Sequence, residues 1–282
     1  MPHRELPIGP VDHACSSPTR RLWRGRWAAA VLGAVLTACA GGPTQQEVER
    51  SAREFRLAAT LRDEGNTAAA VEHLRKALAL DPDNAHAHAL LGFIRMERGE
   101  LELAREHLRR AEKLESSREG VGSGRTVAEV RNWLGIVLIE LGRHDEAVEV
   151  LRASASDLAN TAPHLAWGNL GMAYFEKKEY DQALEALEQA VRVQPRFCVG
   201  YFRMGRVHFE QGALEKADEA LTRALEADDV CGERYQAAYR LRGEVRARLG
   251  RRSDAIHDFE RCVELEPDTE DAAACRRLLG GD

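Results

Sequence analysis

The sequence predicts an all-α fold, a right-handed superhelical solenoid of six helix hairpins closed by a C-terminal capping helix, and three periodic observations predict it. A small residue recurs in one register, at Ala58, Gly92, Gly135, Gly171, Gly205 and Gly243. An alanine follows twelve residues later each time, at Ala70, Ala104, Ala147, Ala183, Ala217 and Ala255. Between them a glycine marks a turn, at Gly65, Gly99, Gly142, Gly212 and Gly250, with Lys178 the one departure. Two helices of a hairpin approach closely only where neither carries a side chain larger than methyl, which accounts for the first two series. A glycine between them suits a left-handed helix stop.

The elements follow in order. The second helix of each hairpin carries a large core residue, Leu74, Leu108, Leu151, Leu187, Leu221 or Phe259, and then a small one, Ala77, Ala111, Ser154, Ala190, Ala224 or Cys262. Three copies close on Pro82, Pro195 or Pro267, and proline ends a helix by removing a donor. The repeats run over about 51–84, 85–118, 128–161, 164–197, 198–231 and 236–269, with a cap over 270–282. In that cap Ala272, Ala273, Leu278 and Leu279 are expected to cover the open face of repeat six. Three insertions break the spacing: 119–127, with its glycine-rich stretch, Ala162–Pro163, and Gly232–Tyr235; they read as surface loops, of which the longest could instead touch a partner.

This register resembles the tetratricopeptide repeat, whose period is 34 residues. The resemblance spans about 51–269 and implies a one-dimensional core in which each hairpin buries its apolar face against its neighbours. A composition of 44% hydrophobic, 30% charged and 6% aromatic residues suits such a water-exposed helical solenoid.

The first 38 residues stand outside the repeat. Arg20, Arg21, Arg24 and Arg26 precede an apolar run from Trp27 to Ala38, the order of a signal peptide, and that run is too short to span about 30 Å of hydrocarbon. It ends in Leu36-Thr37-Ala38-Cys39, which resembles a bacterial lipobox. The resemblance implies cleavage before Cys39 and acylation of that cysteine, with 39–50 as a lipidated tether that begins Ala40-Gly41-Gly42-Pro43. By analogy with lipoprotein sorting, Ala40 after the cysteine implies the outer membrane, on its periplasmic face.

Removal of residues 1–38, with five arginines and two acids, leaves 35 basic side chains against 44 acidic ones, a net charge of −9. Such a chain lacks the clustered positive charge that nucleic acid requires, so no nucleic-acid partner is expected. Cys198, Cys231, Cys262 and Cys275 all fall in the last third and suit an oxidising compartment. Four cysteines allow three connectivities, of which Cys198–Cys231 and Cys262–Cys275 fit a solenoid best; Cys262 could instead fill its position as a small buried hydrophobe. No phosphate-binding loop, HExxH or GxSxG motif occurs, and the ten histidines are scattered. A catalytic role, a metal and a cofactor are therefore not expected.

The first helices carry the candidate binding face. The register places Phe55 and Ala59, then Ala89, Phe93 and Met96, then Asn132, Ile136 and Ile139, then Met172 and Phe175, then Phe202 and Phe209 on one exposed inner stripe. Repeat six turns polar there, with Arg240, Glu244 and Arg248. Such an apolar groove suits an amphipathic helix or an extended apolar segment, although some of these residues could instead pack between repeats.

Six repeats behind a lipobox cysteine resemble the type IV pilus biogenesis lipoproteins of the PilF and PilW family, and Cys198-Val199-Gly200-Tyr201 at the start of repeat five looks most like its myxobacterial members, typified by Tgl. The resemblance implies a pilotin, which helps subunits of a secretin such as PilQ to assemble in the outer membrane for pilus formation and motility. The alternative is a general periplasmic scaffold that recruits peptidoglycan enzymes or proteases.

Overall fold

Helix pairs in close antiparallel sequence account for nearly all of the described residues, 42–117 and 124–280, in a computed structural model, and no strand occurs among them. Six hairpins form: α1 (Gln45–Asp63) with α2 (Thr67–Leu80), α3 (Ala85–Glu97) with α4 (Leu101–Ser116), and α5 (Gly124–Glu140) with α6 (His144–Ala155). Then come α7 (Pro163–Glu176) with α8 (Tyr180–Val193), α9 (Cys198–Glu210) with α10 (Leu214–Glu226), and, after the short α11 (Asp229–Arg234), α12 (Gln236–Arg248) with α13 (Arg252–Leu265). The cap α14 (Glu270–Leu278) packs on α12 and α13. Each hairpin packs on the next, and the largest cluster of buried apolar residues runs from α3 to α9, with separate clusters in the first two repeats, in repeats five and six, and under the cap.

The periodic glycines sit where the hairpin helices cross. A Cβ at Gly92 would lie 2.7 Å from Leu108 Cγ, at Gly135 2.3 Å from Leu151 Cγ, at Gly171 2.6 Å from Leu187 Cγ, and at Gly205 2.6 Å from Leu221 Cγ. In repeat six the same Cβ at Gly243 would lie 2.5 Å from Phe259 Cε1. The small residue of one helix is therefore the socket for the large residue of the other. The alanine series lines the same crossing, fully buried or nearly so in every repeat.

Polar stitches close the ends of two hairpins. Ser51 Oγ donates to the Ala77 carbonyl at 2.8 Å and accepts from Asn84 Nδ2 at 2.8 Å, while Asn84 Oδ1 caps α3 at Ala87 N. Ser154 Oγ donates to the Ala128 carbonyl at 2.6 Å in repeat three. These serines stand buried because their hydroxyls are satisfied.

At the turns, the five glycines and Lys178 adopt positive φ, with Lys178 at 61°. A side chain with a Cβ resists that conformation by about 1 kcal/mol. Lys178→Gly is therefore expected to raise stability by roughly 0.5–1 kcal/mol. Lys177 next door, not Lys178, carries the ion pairs with Asp145 and Glu179, so the substitution removes no described pair. A urea titration showing no gain in midpoint would refute this.

Three expectations require correction. Residues 45–50, expected to be tether, are the first turns of α1, because Thr44 and Glu47 form a reciprocal capping box. The insertion 232–235 is not a plain loop: Gly232 to Arg234 belong to α11, started by the Asp228 side chain accepting from Val230 N. In the cap, Ala272 and Cys275 are buried, but Leu278 and Leu279 are 50% and 36% exposed and are not part of the buried core. Of the other insertions, Pro163 opens α7 at a position where a missing N–H costs nothing, and 124–127 belong to α5. Residues 118–123 lie outside the described residues.

Two histidines tie α3 to α4. His88 Nδ1 and His107 Nδ1 are 2.9 Å apart, and His88 Nε2 lies 3.0 Å from the Pro82 carbonyl. Nε2–H of His88 then donates to Pro82, its Nδ1 accepts, and His107 Nδ1–H donates to it. Burial lowers the pKa of both rings, and for His107 the His88 charge adds to the effect. Since the folded-state pKa lies below the unfolded value near 6.5, the unfolded chain gains protons first as pH falls. Stability is expected to be full above that value and to decline as pH drops below it. Melting curves from neutral to mildly acidic pH should show the decline, and His107→Asn should flatten it.

Candidate partner-binding face

The register puts one row of first-helix residues in equivalent positions, and the structure shows what most of them meet. Ala89 is the clear correction: at 5% exposure it belongs to the core between repeats and cannot touch a ligand. The other eleven stripe residues, Phe55 and Ala59 among them, are half-buried, so no open apolar stripe runs along the face.

Their neighbours explain why. Phe55 packs near His86, with ring centroids 5.5 Å apart, and Phe93 packs on Trp133 at 4.8 Å. Met96, Ile139 and Phe175 rest against the central core cluster, and Phe202 and Phe209 against that of repeats five and six. Phe202 also lies 4.8 Å from Tyr235, whose burial pushes its phenol up to about 12. Ile136 stays half-buried beside the buried Gly135 and Val137.

Arginines roof several of the rings. Arg62 lies 4.6 Å from the Phe93 centroid, Arg206 4.8 Å from Phe175, and Arg248 4.2 Å from Phe209. Arg206 Nη1 also approaches Met172 Sδ at 3.9 Å. A polar ladder runs beside them: Asn169 Nδ2 donates to Asn132 Oδ1 at 3.0 Å, and Arg203 Nη1 donates to Asn169 Oδ1 at 3.0 Å. Between repeats five and six the face opens into a cleft of ≈ 340 Å³ walled by Phe202, Arg206, Phe209 and Leu241. In repeat six Arg240 holds Glu244 at 2.7 Å and Asp271 at 2.6 Å.

The face is therefore a mixed arginine and aromatic surface, suited to holding peptide through stacking and directed hydrogen bonds. The stripe missed Arg62, Arg203 and Arg206. A signal for Arg206 was present, since it occupies the register position held by Phe93, Ile136 and Met172 in the preceding repeats.

The cysteines meet in two pairs. Cys198, the first residue of α9, is bonded to Cys231 in α11, with Cα atoms 6.3 Å apart. Cys262 in α13 is bonded to Cys275 in α14 across 6.4 Å, both fully buried. The second bond fastens the cap to the last hairpin. Cys39 and the apolar run before it lie outside the described residues, and no described helix is long and apolar enough to cross a membrane.

Known proteins share both register and fold. Tetratricopeptide-repeat profiles match residues 61–117, 128–156, 164–197 and 202–272, together more than half of the chain. The type IV pilus assembly protein PilF of Pseudomonas aeruginosa is 33% identical over 129 residues, 46% of this chain and 48% of that protein. The chain thus spans less than half the length of the curated relatives it matches. Among solved structures, PilW, described as a widely conserved type IV pilus biogenesis factor, superposes with a TM-score of 0.69 at 20% identity, covering 81% of this chain and 98% of that one. The P. aeruginosa PilF structure superposes with a TM-score of 0.64 at 22% identity, covering 83% of this chain and all of that one. At those identities the two structures speak for the fold. Six hairpins with small-against-large crossings, glycine turns and profile matches across the repeats lead to one conclusion: the chain belongs to the tetratricopeptide-repeat family.

Proposed function

We propose that the chain is an outer-membrane lipoprotein, anchored through Cys39 on the periplasmic side, that acts as a pilotin for a secretin of the PilQ kind and so serves type IV pilus formation and motility. The observation that carries this reading is the 33% identity to PilF, a type IV pilus assembly protein. The lipobox-like Leu36-Thr37-Ala38-Cys39 supports the anchor, and the resemblance of repeat five to myxobacterial Tgl supports the same family branch. The chain works as a binding module and not as an enzyme, because repeats of this kind present surfaces for other proteins.

In this mechanism the lipid confines the solenoid to one leaflet, and acyl chains contribute about 0.8 kcal/mol per buried CH₂. Confinement raises the effective concentration of the first-helix face near secretin subunits on the same membrane, so a modest affinity suffices.

Cys39→Gly tests the two halves together. The variant should keep its helical circular dichroism yet leave the lipid fraction, and heat-stable secretin multimers should disappear from cells that carry it. Normal multimers in those cells would sink the reading.

A further inference from the structure

His88 in α3 and His107 in α4 are 19 residues apart in sequence, yet their Nδ1 atoms stand 2.9 Å apart. The ring centroids are 5.2 Å apart and the planes are inclined by 37°. Both rings are half-buried, so solvent reaches the pair, and neither residue occupies a position of the first-helix stripe. Asp83, Glu106, Arg95 and Arg110 are the charged groups that act on them. Arg110 holds Asp83 and Arg95 holds Glu100, whereas Glu106 stands exposed without a hydrogen bond or ion pair among the described residues.

The Pro82 carbonyl sets the chemistry of the pair. His88 Nε2–H donates to it at 3.0 Å, which leaves a lone pair on His88 Nδ1. An imidazole ligates a metal through such a lone pair, and a carbonyl on its other nitrogen fixes the tautomer and orients the ring. His107 Nε2 meets no hydrogen-bond partner among the described residues, so the His107 proton can move there from Nδ1 and free a second lone pair. Two nitrogens each about 2.0–2.1 Å from one ion and at a right angle to each other lie about 2.9 Å apart, the separation found here. A tetrahedral ion would need about 3.3–3.4 Å.

We propose that His88 and His107 form a binding site for Cu(II), coordinated by both Nδ1 atoms with water at the remaining tetragonal positions. Imidazole suits this ion, and copper stands highest in the divalent series. No group of three or more His, Cys, Asp or Glu side chains able to hold a metal occurs among the described residues, so the protein supplies two ligands and the ion exchanges with solvent. Each ring turns slightly so that the two lone pairs converge on the ion instead of lying along one hydrogen bond. Burial lowers the pKa of both rings, so both are neutral at neutral pH and lose no proton on binding. The His107 proton stays on Nε2 and no electron changes hands. Arg95 and Arg110 present no bare charge to the ion, because carboxylates hold both, and Glu106 adds negative charge beside it. The site ties α3 to α4 and is independent of the pilotin reading.

Cu(II) added to the full-length oxidised protein, without a histidine tag and with its remaining thiols alkylated, tests the pair. At the first equivalent, electron paramagnetic resonance should show a tetragonal signal with two coordinated imidazole nitrogens. His88→Asn and His107→Asn should each remove that two-nitrogen signature and weaken binding about tenfold or more, at least the loss seen when a residue that merely orients a ligand is removed. The two variants lie on different helices, so one keeps the test valid if the other disturbs packing. Cu(II) should also raise the melting temperature of the unaltered chain at neutral pH, and the rise should fade as pH falls and protons reclaim the rings. No binding, a signal from oxygen ligands or a single nitrogen in the unaltered chain, or a two-nitrogen signal that survives both substitutions would each overturn the proposal.

Discussion

Asp258→Ala is expected to destabilise the last two repeats by about 3–5 kcal/mol, because it strands buried cations. The carboxylate has no exposed surface, receives Arg242 through two bonds at 2.7 and 3.0 Å, and receives Arg246 Nη1 at 3.0 Å. Arg246 keeps Asp218 as a second partner, whereas among the described residues Arg242 retains the Thr222 hydroxyl at 3.2 Å and the Tyr239 ring. Arg242 therefore bears most of the loss. A solenoid transmits stability mainly between neighbours, so hydrogen exchange should accelerate first in α12, α13 and α14 and least in α1 to α4. Replacing Arg242 by Met in the same chain should recover part of the loss, since removing both partners leaves no orphaned charge. Uniform destabilisation along the chain, or a loss within about 0.5 kcal/mol, would contradict this account.

Gly135→Val is expected to cost about 3 kcal/mol or more, at the upper end of overpacking effects. Its Cβ would stand 2.3, 2.4 and 2.9 Å from Leu151 Cγ, Cδ2 and Cδ1, and Leu151 is itself fully buried, so neither helix can yield without opening the core. Gly135→Ala should do less harm, because alanine adds one carbon and gains about 1 kcal/mol of helix propensity. Combining Gly135→Ala with Leu151→Ala should give a loss smaller than the sum of the two single losses, since the new methyl enters the space that the leucine vacates. Additivity in denaturant titrations would show that the two side chains do not share one socket. Since α5 and α6 lie mid-chain, the damage should weaken the coupling between the repeats on either side.

The crossings were legible in sequence because they repeat. A small residue and a large one in fixed register, six times over, reveal a close helix approach without any coordinates. The helical start at Gln45 was legible too, since Thr44 and Glu47 carry the capping-box signature, but the repeat register begins at 51 and draws attention past it. The Arg242–Asp258 pair had no such signal. Arginine and aspartate in amphipathic helices ordinarily face water, and only the packing of α12 on α13 and α10 encloses them.

The binding face divides the same way. Register groups Phe93, Ile136 and Met172 at equivalent positions of their helices, because helical periodicity fixes direction. It could not say that Ala89 is enclosed by the neighbouring hairpins, or that Arg62, Arg206 and Arg248 lie across rings of an adjacent repeat. Those are contacts between repeats, and they depend on the angle and spacing at which the hairpins stack.

The sequence by itself determined the architecture, the number of hairpins, their turns and the positions of the four late cysteines, because a solenoid is built from local rules used repeatedly. The tertiary structure decided which polar residues are buried, which cations share a carboxylate and where a cleft opens between repeats five and six. The physical reason is that helix formation and hairpin closure depend on residues close in sequence, whereas the electrostatics of a binding face depend on side chains from neighbouring repeats, about 34 residues apart, meeting across an interface.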